Sequence, residues 1–252
     1  MDPDDSEAIP AATLVLMRPG TEGPELLMME RAAGMAFAAG ALVFPGGRVD
    51  PDDHRLAETI GAPDALAAAR IAAIRETIEE VGIAAGFAAP PNARLVGEWR
   101  ARLRAGAPFS ALLAESGLAL DLGALVPFAR WCPALHRTRR FDTHFFLAQV
   151  AGDAPAPMID EEEAVRGLWA SAPRLLADAE AGRAQIIFPT RRNLERIAQF
   201  ASIDDAFADA AAYPIRTVVP WIEERDGRKW LCIPDSIGYP VTAQPFDTVN
   251  TG

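Results

Sequence analysis

The chain has 252 residues, half of them hydrophobic, and a formal net charge of −11. That length and apolar content suffice for a full core, built as one large domain or a domain with an extension. The acidic balance argues against nonspecific binding to nucleic acid or anionic membranes, no apolar run is long enough to span a bilayer, and the acidic start Met1-Asp2-Pro3-Asp4-Asp5 is unlike a signal peptide.

In chain order, residues 11–18 and 25–30 read as two strands around Pro19-Gly20-Thr21-Glu22-Gly23-Pro24, a loop full of turn formers. Ala41 to Phe44 reads as a short strand that ends at Pro45. A helix is expected from near Pro63, a favoured first-turn residue, to Gly82, a favoured cap, with Ile71, Ile74 and Ile78 as its core stripe. Residues 94–122 read as helical, an inserted cap with Arg100, Arg102 and Arg104 outside. Strands follow at Leu125 to Trp131, Arg140 to Val150 and Val165 to Trp169, then helices at about 172–181, 190–201 and 203–212. The tail, residues 214–252, holds a hairpin turning at Asp226-Gly227 and then a Pro-rich irregular segment. Cys132 and Cys232 lack metal-type spacing and read as reduced core thiols, which with the missing leader makes a cytoplasmic protein the expectation. Trp131, Trp169, Met28, Met29 and Met35 read as packing residues, and His54, His136 and His144 share no metal-ligand spacing.

The stretch that carries chemistry is Arg75-Glu76-Thr77-Ile78-Glu79-Glu80-Val81-Gly82-Ile83. On a helix Glu76, Glu79 and Glu80 stand at i, i+3 and i+4, so three carboxylates share the face away from the isoleucines. Glu76 and Glu80 repel at that spacing, and Glu79 and Glu80 occupy a last turn whose dipole favours cations. A solvated acidic face is the plain alternative. A sequence that accepts both penalties is suited to holding a hard divalent cation such as Mg²⁺ or Mn²⁺ through oxygen.

Preceded by Phe44-Pro45-Gly46-Gly47, this run resembles the Nudix box: Gly, five residues, Glu, seven residues, then Arg-Glu-U-x-Glu-Glu-x-Gly-U, with U bulky and apolar. Arg75, Glu76, Glu79, Glu80, Gly82 and Ile83 match, and Thr77 departs at the first U. With Gly47 as the opening glycine, Asp53 stands at the first Glu position. From there 21 residues lead to Arg75 where the pattern has seven, an insertion of 14. A register opened by Gly61 keeps the later spacing but places Ala67 at the Glu position; the Phe-Pro-Gly-Gly entry favours Gly47. The resemblance implies an α+β fold, the Nudix α/β/α sandwich around a mixed sheet. It would comprise a domain over residues 10–212, with a helical insertion at about 94–122, and an extension over 213–252 packed on it.

Upstream, Leu27 to Ala32, then Gly40 and the Phe-Pro-Gly-Gly turn, are similar to the signature of coenzyme A diphosphatases, with Arg31, Ala32 and Gly40 in register and Ala36 in place of a second arginine. The box insertion, the helical stretch, Arg139-Arg140-Phe141-Asp142-Thr143 and Pro189-Thr190-Arg191-Arg192-Asn193-Leu194 resemble one branch, the peroxisomal-type acyl-CoA diphosphatases and their bacterial relatives. The resemblance implies Mg²⁺- or Mn²⁺-dependent hydrolysis of CoA or acyl-CoA to 3′,5′-ADP and 4′-phosphopantetheine or its acylated form. It implies Glu76, Glu79 and Glu80 as metal ligands with a carbonyl of Gly46 or Gly47, and Arg75 orienting the carboxylates. The general base would be a box glutamate or a member of Asp160-Glu161-Glu162-Glu163, with Glu162 and Glu163 the choices. Arg31 and the basic cluster Arg137, Arg139 and Arg140 are the candidates for substrate phosphates. ADP-ribose, dinucleoside polyphosphates and NADH are the other substrates weighed, and a nucleotide-sensing module without turnover is the other class. The insertion and the tail each offer a homodimer surface.

Overall fold

The computed structural model describes residues 8–32, 34, 38–62, 64–133, 140–159 and 164–249. Strands β1 (Ile9–Gly20) and β2 (Gly23–Arg31) form the opening hairpin, followed by β3 (Leu42–Val43) and β4 (Gly46–Arg48). Helices α1 (Pro51–Thr59) and α2 (Ala67–Val81) come next, then the helical pair α3 (Ala93–Arg104) and α4 (Phe109–Ser116). Strands β5 (Val126–Trp131), β6 (Phe141–Gln149) and β7 (Ala164–Ser171) precede helices α5 (Ala172–Glu180), α6 (Phe188–Ile197) and α7 (Ile203–Ala212). The tail adds β8 (Thr217–Val218), β9 (Trp221–Arg225), β10 (Arg228–Cys232) and β11 (Ala243–Pro245).

The main sheet runs β3-β2-β1-β6-β5-β8, with β7 on β2 and β4 on β1. It is mixed: β1 pairs in parallel with β6 and antiparallel with β2 and β4. Alternation along β1 explains the layers. Leu14 and Leu16 enter one core with Ile71, Ile74, Ile78, Trp99 and Phe109, while Val15 and Met17 enter a second with Leu175, Leu194 and Ala206. A strand covered on both faces reads as a continuous apolar run, as here. Helices therefore cover both faces and the α/β/α sandwich stands.

β1 also divides its antiparallel pairing. Met17 to Gly20 pair with β2, whereas Ala11, Ala12 and Thr13 pair with Arg48, Gly47 and Gly46. The Pro45-Gly46-Gly47 turn is thus hydrogen-bonded to the central strand.

Three expectations change. The helix of the box begins at Ala67, not near Pro63, which lies outside the described residues; Asp64 starts it, its carboxylate accepting the Leu66 N–H at 2.8 Å. Helix α1 begins at Pro51, ahead of the insertion, and runs into it. Arg100 is not simply outside: its Nε donates to the Glu79 carbonyl at 3.0 Å, so the insertion caps the end of α2. The hairpin at Asp226-Gly227 forms as expected, but the segment after it is not wholly irregular, because β11 adds a third strand to β9 and β10. Among the described residues no helix is long and apolar enough to cross a membrane.

Candidate active site

Helix α2 buries Ile71, Ile74 and Ile78 completely and leaves Glu76, Glu79 and Glu80 half-buried on its other side. It ends where Gly82 takes φ 64°, a left-handed cap that glycine adopts without strain, with its N–H on the Ile78 carbonyl.

Arg75 organises the surroundings. Its Nε and Nη2 hold the two oxygens of Asp53 at 3.1 and 2.9 Å, Nη2 also donates to the Arg48 carbonyl at 2.9 Å, and Nη1 donates to Glu76 Oε1 at 2.8 Å. Glu79 lies 3.7 Å from the same Nη1. Asp53 is fully buried and Arg75 nearly so, so the pair is a desolvated fork whose guanidinium stays charged. The register opened by Gly47 is therefore the one that joins the two halves of the box, and the 14 extra residues loop out through α1 without parting them. Aspartate serves at position 53 because α1 starts there: Asp53 also accepts the Asp50 N–H at 2.8 Å, half of a capping box behind Pro51.

The glycine turn meets the glutamates directly. The Gly46 N–H donates to Glu80 Oε2 at 2.8 Å, and a Cβ at Gly47 would collide with the Glu76 carboxyl. At Gly46 a Cβ would fall 2.7 Å from the Thr13 Cα. Two glycines are thus required by close approach. Burial pushes the Glu76 carboxyl up to about 7, with Arg75 pulling down and neighbouring Glu79 adding to the rise.

Glu80 is tied to Gly46 and Glu76 to Arg75, so among the described residues no three ligating side chains are gathered around a point. Their chemistry still fits a hard cation: carboxylate oxygens on one helix face, converging on a turn with no side chain to fill the space, and one of them costly to ionise alone.

A cleft of about 690 Å³ opens over Glu76 and Glu79. Asp50, Pro51, Asp52 and Arg55 of the α1 region line it on one side, and Leu103 to Phe109, the turn between α3 and α4, on another. The walls are latched together: Ser110 donates its N–H and its hydroxyl to Asp52 at 3.0 and 2.7 Å. Burial raises the Asp52 carboxyl, but those two bonds and Arg55 bring it below the usual carboxylate range.

Of the other candidates, Arg137, Arg139, Glu162 and Glu163 lie outside the described residues. The chain leading to the last two is placed: the Met158 N–H donates to the Val81 carbonyl at 2.9 Å, and the Met158 side chain lies over Gly82. Arg140 directs its Nε at Cys132 Sγ, 3.0 Å away, and does not line the cleft. Neither does Arg31, whose buried Nε has no hydrogen-bond partner among the described residues. Sequence reasoning overlooked Asp52, Arg55, Arg100, Arg104 and Ser110. Only α1 carried a local signal, Asp50-Pro51 followed by Asp53; the rest are contacts between segments far apart in the chain.

A glutamate-bearing helix, closed by an arginine fork onto a Gly-Gly turn in an α/β/α sandwich, defines a Nudix hydrolase. A solved Nudix hydrolase from Alicyclobacillus acidocaldarius superposes with a TM-score of 0.71 at 29% identity, over 81% of this chain and 97% of that one. More narrowly, the chain belongs to the family of the NUDT19 Nudix domain, which matches residues 55–197. It is similar to the acyl-coenzyme A diphosphatases NUDT19 of Gallus gallus (28% identity) and Homo sapiens (27% identity), over 74% of this chain in both cases. The chain spans 65% and 64% of the lengths of those two relatives.

Proposed function

We propose that the protein hydrolyses the diphosphate bridge of CoA or acyl-CoA, with Mg²⁺ or Mn²⁺, to 3′,5′-ADP and 4′-phosphopantetheine or its acylated form. The observation that carries this is the Arg75 fork: it keeps Asp53 and Glu76 together while Glu80 meets Gly46, so the box is assembled across its insertion. The similarity to proteins named acyl-coenzyme A diphosphatases supports the substrate class.

In this reading Glu76, Glu79 and Glu80, with a carbonyl of Gly46 or Gly47, hold the cation. When bound, such an ion polarises phosphoryl oxygens and lowers the pKa of a water. Arg75 orients Glu76 by direct hydrogen bonding and offsets part of the burial that raises its carboxyl. Water adds across the P–O–P bridge, its oxygen forming the new P–O bond as the bridging oxygen leaves with the other phosphate. The water's proton goes to a carboxylate, either a box glutamate or Glu162 or Glu163 on the segment following Met158. The Nudix domain of residues 10–212 carries the chemistry, and residues 213–252 brace it.

The test is product analysis by liquid chromatography with Mg²⁺ or Mn²⁺ against CoA, an acyl-CoA, ADP-ribose, NADH and a dinucleoside polyphosphate. Formation of 3′,5′-ADP from CoA, lost in Glu79→Gln, is expected. Turnover of another substrate alone would discard CoA and keep the Nudix chemistry. Folded protein that turns over none would point to a nucleotide sensor.

A further inference from the structure

The cleft is bipolar. Its carboxylates are Glu76 and Glu79 on the box helix and Asp50 and Asp52 at the start of α1; its cations, apart from the buried Arg75, are Arg55 from α1 and Arg104 from the last turn of α3. Arg75 is already engaged by Asp53, Glu76 and the Arg48 carbonyl, leaving its guanidinium little capacity for a ligand. Arg55 differs: its side chain is 65% exposed and pairs with Asp52, 3.1 Å away at i,i+3. Exposed pairs of that kind are weak. Asp52 does not depend on it, because Ser110 already donates two hydrogen bonds to that carboxylate. Arg55 is therefore free to turn toward an anion without leaving a buried charge behind. Arg104 is exposed on the facing turn.

Both arginines stand on segments beyond the plain box: Arg55 lies in the lengthened stretch between Asp53 and Arg75, and Arg104 in the helical pair α3–α4. The Asp52–Ser110 latch fixes the first turn of α1 against the helical pair, so the two cationic side chains share one rim. A diphosphate needs the acidic part of the cleft, with its cation. A second anionic group on the same substrate needs a cationic surface nearby, and on a chain of net charge −11 that surface must be local. A 690 Å³ cleft holds far more than a diphosphate.

We propose that Arg55 and Arg104 form an anion subsite at the rim of the cleft that takes a phosphomonoester carried by the nucleoside arm of the diphosphate substrate. This rests on the diphosphatase reading and names the part of the substrate that the two additions recognise. In CoA that group is the 3′-phosphate. The other candidate for this role is the Arg137–Arg140 cluster, whose described member, Arg140, points to Cys132.

The experiment is calorimetric titration of the full chain, with Mg²⁺, using adenosine 3′,5′-bisphosphate and 5′-AMP as probes. Wild-type protein is expected to prefer the bisphosphate, and Arg55→Ala/Arg104→Ala to lose about tenfold in bisphosphate affinity with less than about twofold change for AMP. Arg55→Lys/Arg104→Lys should recover part of the preference, and the higher salt dependence of bisphosphate binding should vanish with the arginines. A wild-type protein with no preference, or an alanine variant that keeps it, overturns the subsite. A loss of affinity equal for both probes also overturns it, since a general distortion of the cleft would do that. CoA hydrolysis by the wild type is followed in parallel. If CoA is hydrolysed while the preference survives the substitutions, the subsite fails and the diphosphatase reading stands. If the wild type hydrolyses no diphosphate, that reading fails whatever the binding shows.

Discussion

Burial lifts the Glu76 carboxyl to about 7, above its ordinary 4.5, against the pull of Arg75. A carboxyl whose pKa is higher in the folded chain than in the unfolded one holds its proton longer when folded. Its stabilising effect is full below pH 4.5 and is lost as pH rises toward 7, a difference of roughly 3 kcal/mol. The metal-free protein should therefore lose thermal stability between about pH 5 and 7.5, a slope that Glu76→Gln flattens; melting in chelator across that range checks it. If Glu76 holds the cation as proposed, the same proton must leave first, so Mn²⁺ affinity should climb with pH and level off above about 7, with proton release seen in calorimetry. Asp53 gives a second prediction at this scale. Asp53→Asn keeps the shape but uncouples a buried pair, and breaking such a pair costs about 3–5 kcal/mol. Because Arg75 retains Glu76 and the Arg48 carbonyl, the lower end of that range is expected. Urea unfolding measures the loss, and a change below about 1 kcal/mol would show that Asp53 is not the group holding Arg75.

At the scale of elements, the last turn of α2 carries Glu79 and Glu80 where a helix prefers cations, and the structure supplies one from elsewhere. Arg100 of α3 donates to the carbonyls of Glu79 and Glu80, at 3.0 and 3.4 Å, the groups that the end of a helix leaves unpaired. Arg100→Ala should cost about 1–2 kcal/mol and, at this size, lower the melting temperature by roughly 2–4 °C per kcal/mol. Hydrogen exchange should speed at Val81 to Ile83 while the first turns of α2 stay protected; uniform acceleration over α2 would contradict a local capping role. The conflict between carboxylates and dipole was legible in the sequence, but its resolution was not, because Arg100 is 20 residues beyond Glu80 and nothing local marks the pairing. The core stripe of Ile71, Ile74 and Ile78 and the Gly82 cap were legible since each follows from 3.6-residue spacing or from backbone freedom. Helix α1 escaped notice because only Asp53, Leu56 and Ala57 of its nine residues are buried, too few for a periodic signal, although its capping box was present. The alanine run at the head of α2 has no directional start, so its first residue was misjudged while Asp64 went unread.

For the whole molecule, the tail is bound to the sandwich by buried polar contacts rather than by apolar packing alone. Tyr239, in the segment between β10 and β11, donates its hydroxyl to Asn193 Oδ1 of α6 at 2.8 Å and accepts the Trp131 Nε1–H of β5 at 2.8 Å. Arg192 of α6 donates to the Val241 carbonyl at 3.2 Å and to Gln244 at 2.9 Å, and Arg196 lies under Gly238 while its Nη1 bonds the Phe128 carbonyl. The Thr190-Arg191-Arg192-Asn193 stretch, noted in the sequence only as a likeness, thus anchors the tail on the face of the sheet away from the cleft. A hydroxyl that both donates and accepts in a closed interior cannot be replaced by water without opening the packing. Burial also pushes the Tyr239 hydroxyl up to about 12, so it remains a donor at any pH the protein meets. Tyr239→Phe leaves the Trp131 N–H and the Asn193 oxygen unpaired together, a loss of about 1–3 kcal/mol for each orphaned group. Asn193→Leu removes one end of the chain of bonds, so the two substitutions should couple: the double variant should lose less than the sum of the singles by at least 0.5 kcal/mol. Denaturant unfolding of the four proteins gives that coupling. Strict additivity would mean the tail is held by Leu231, Ile233 and Ile237 in the apolar core, and that the tyrosine bridge is incidental to it.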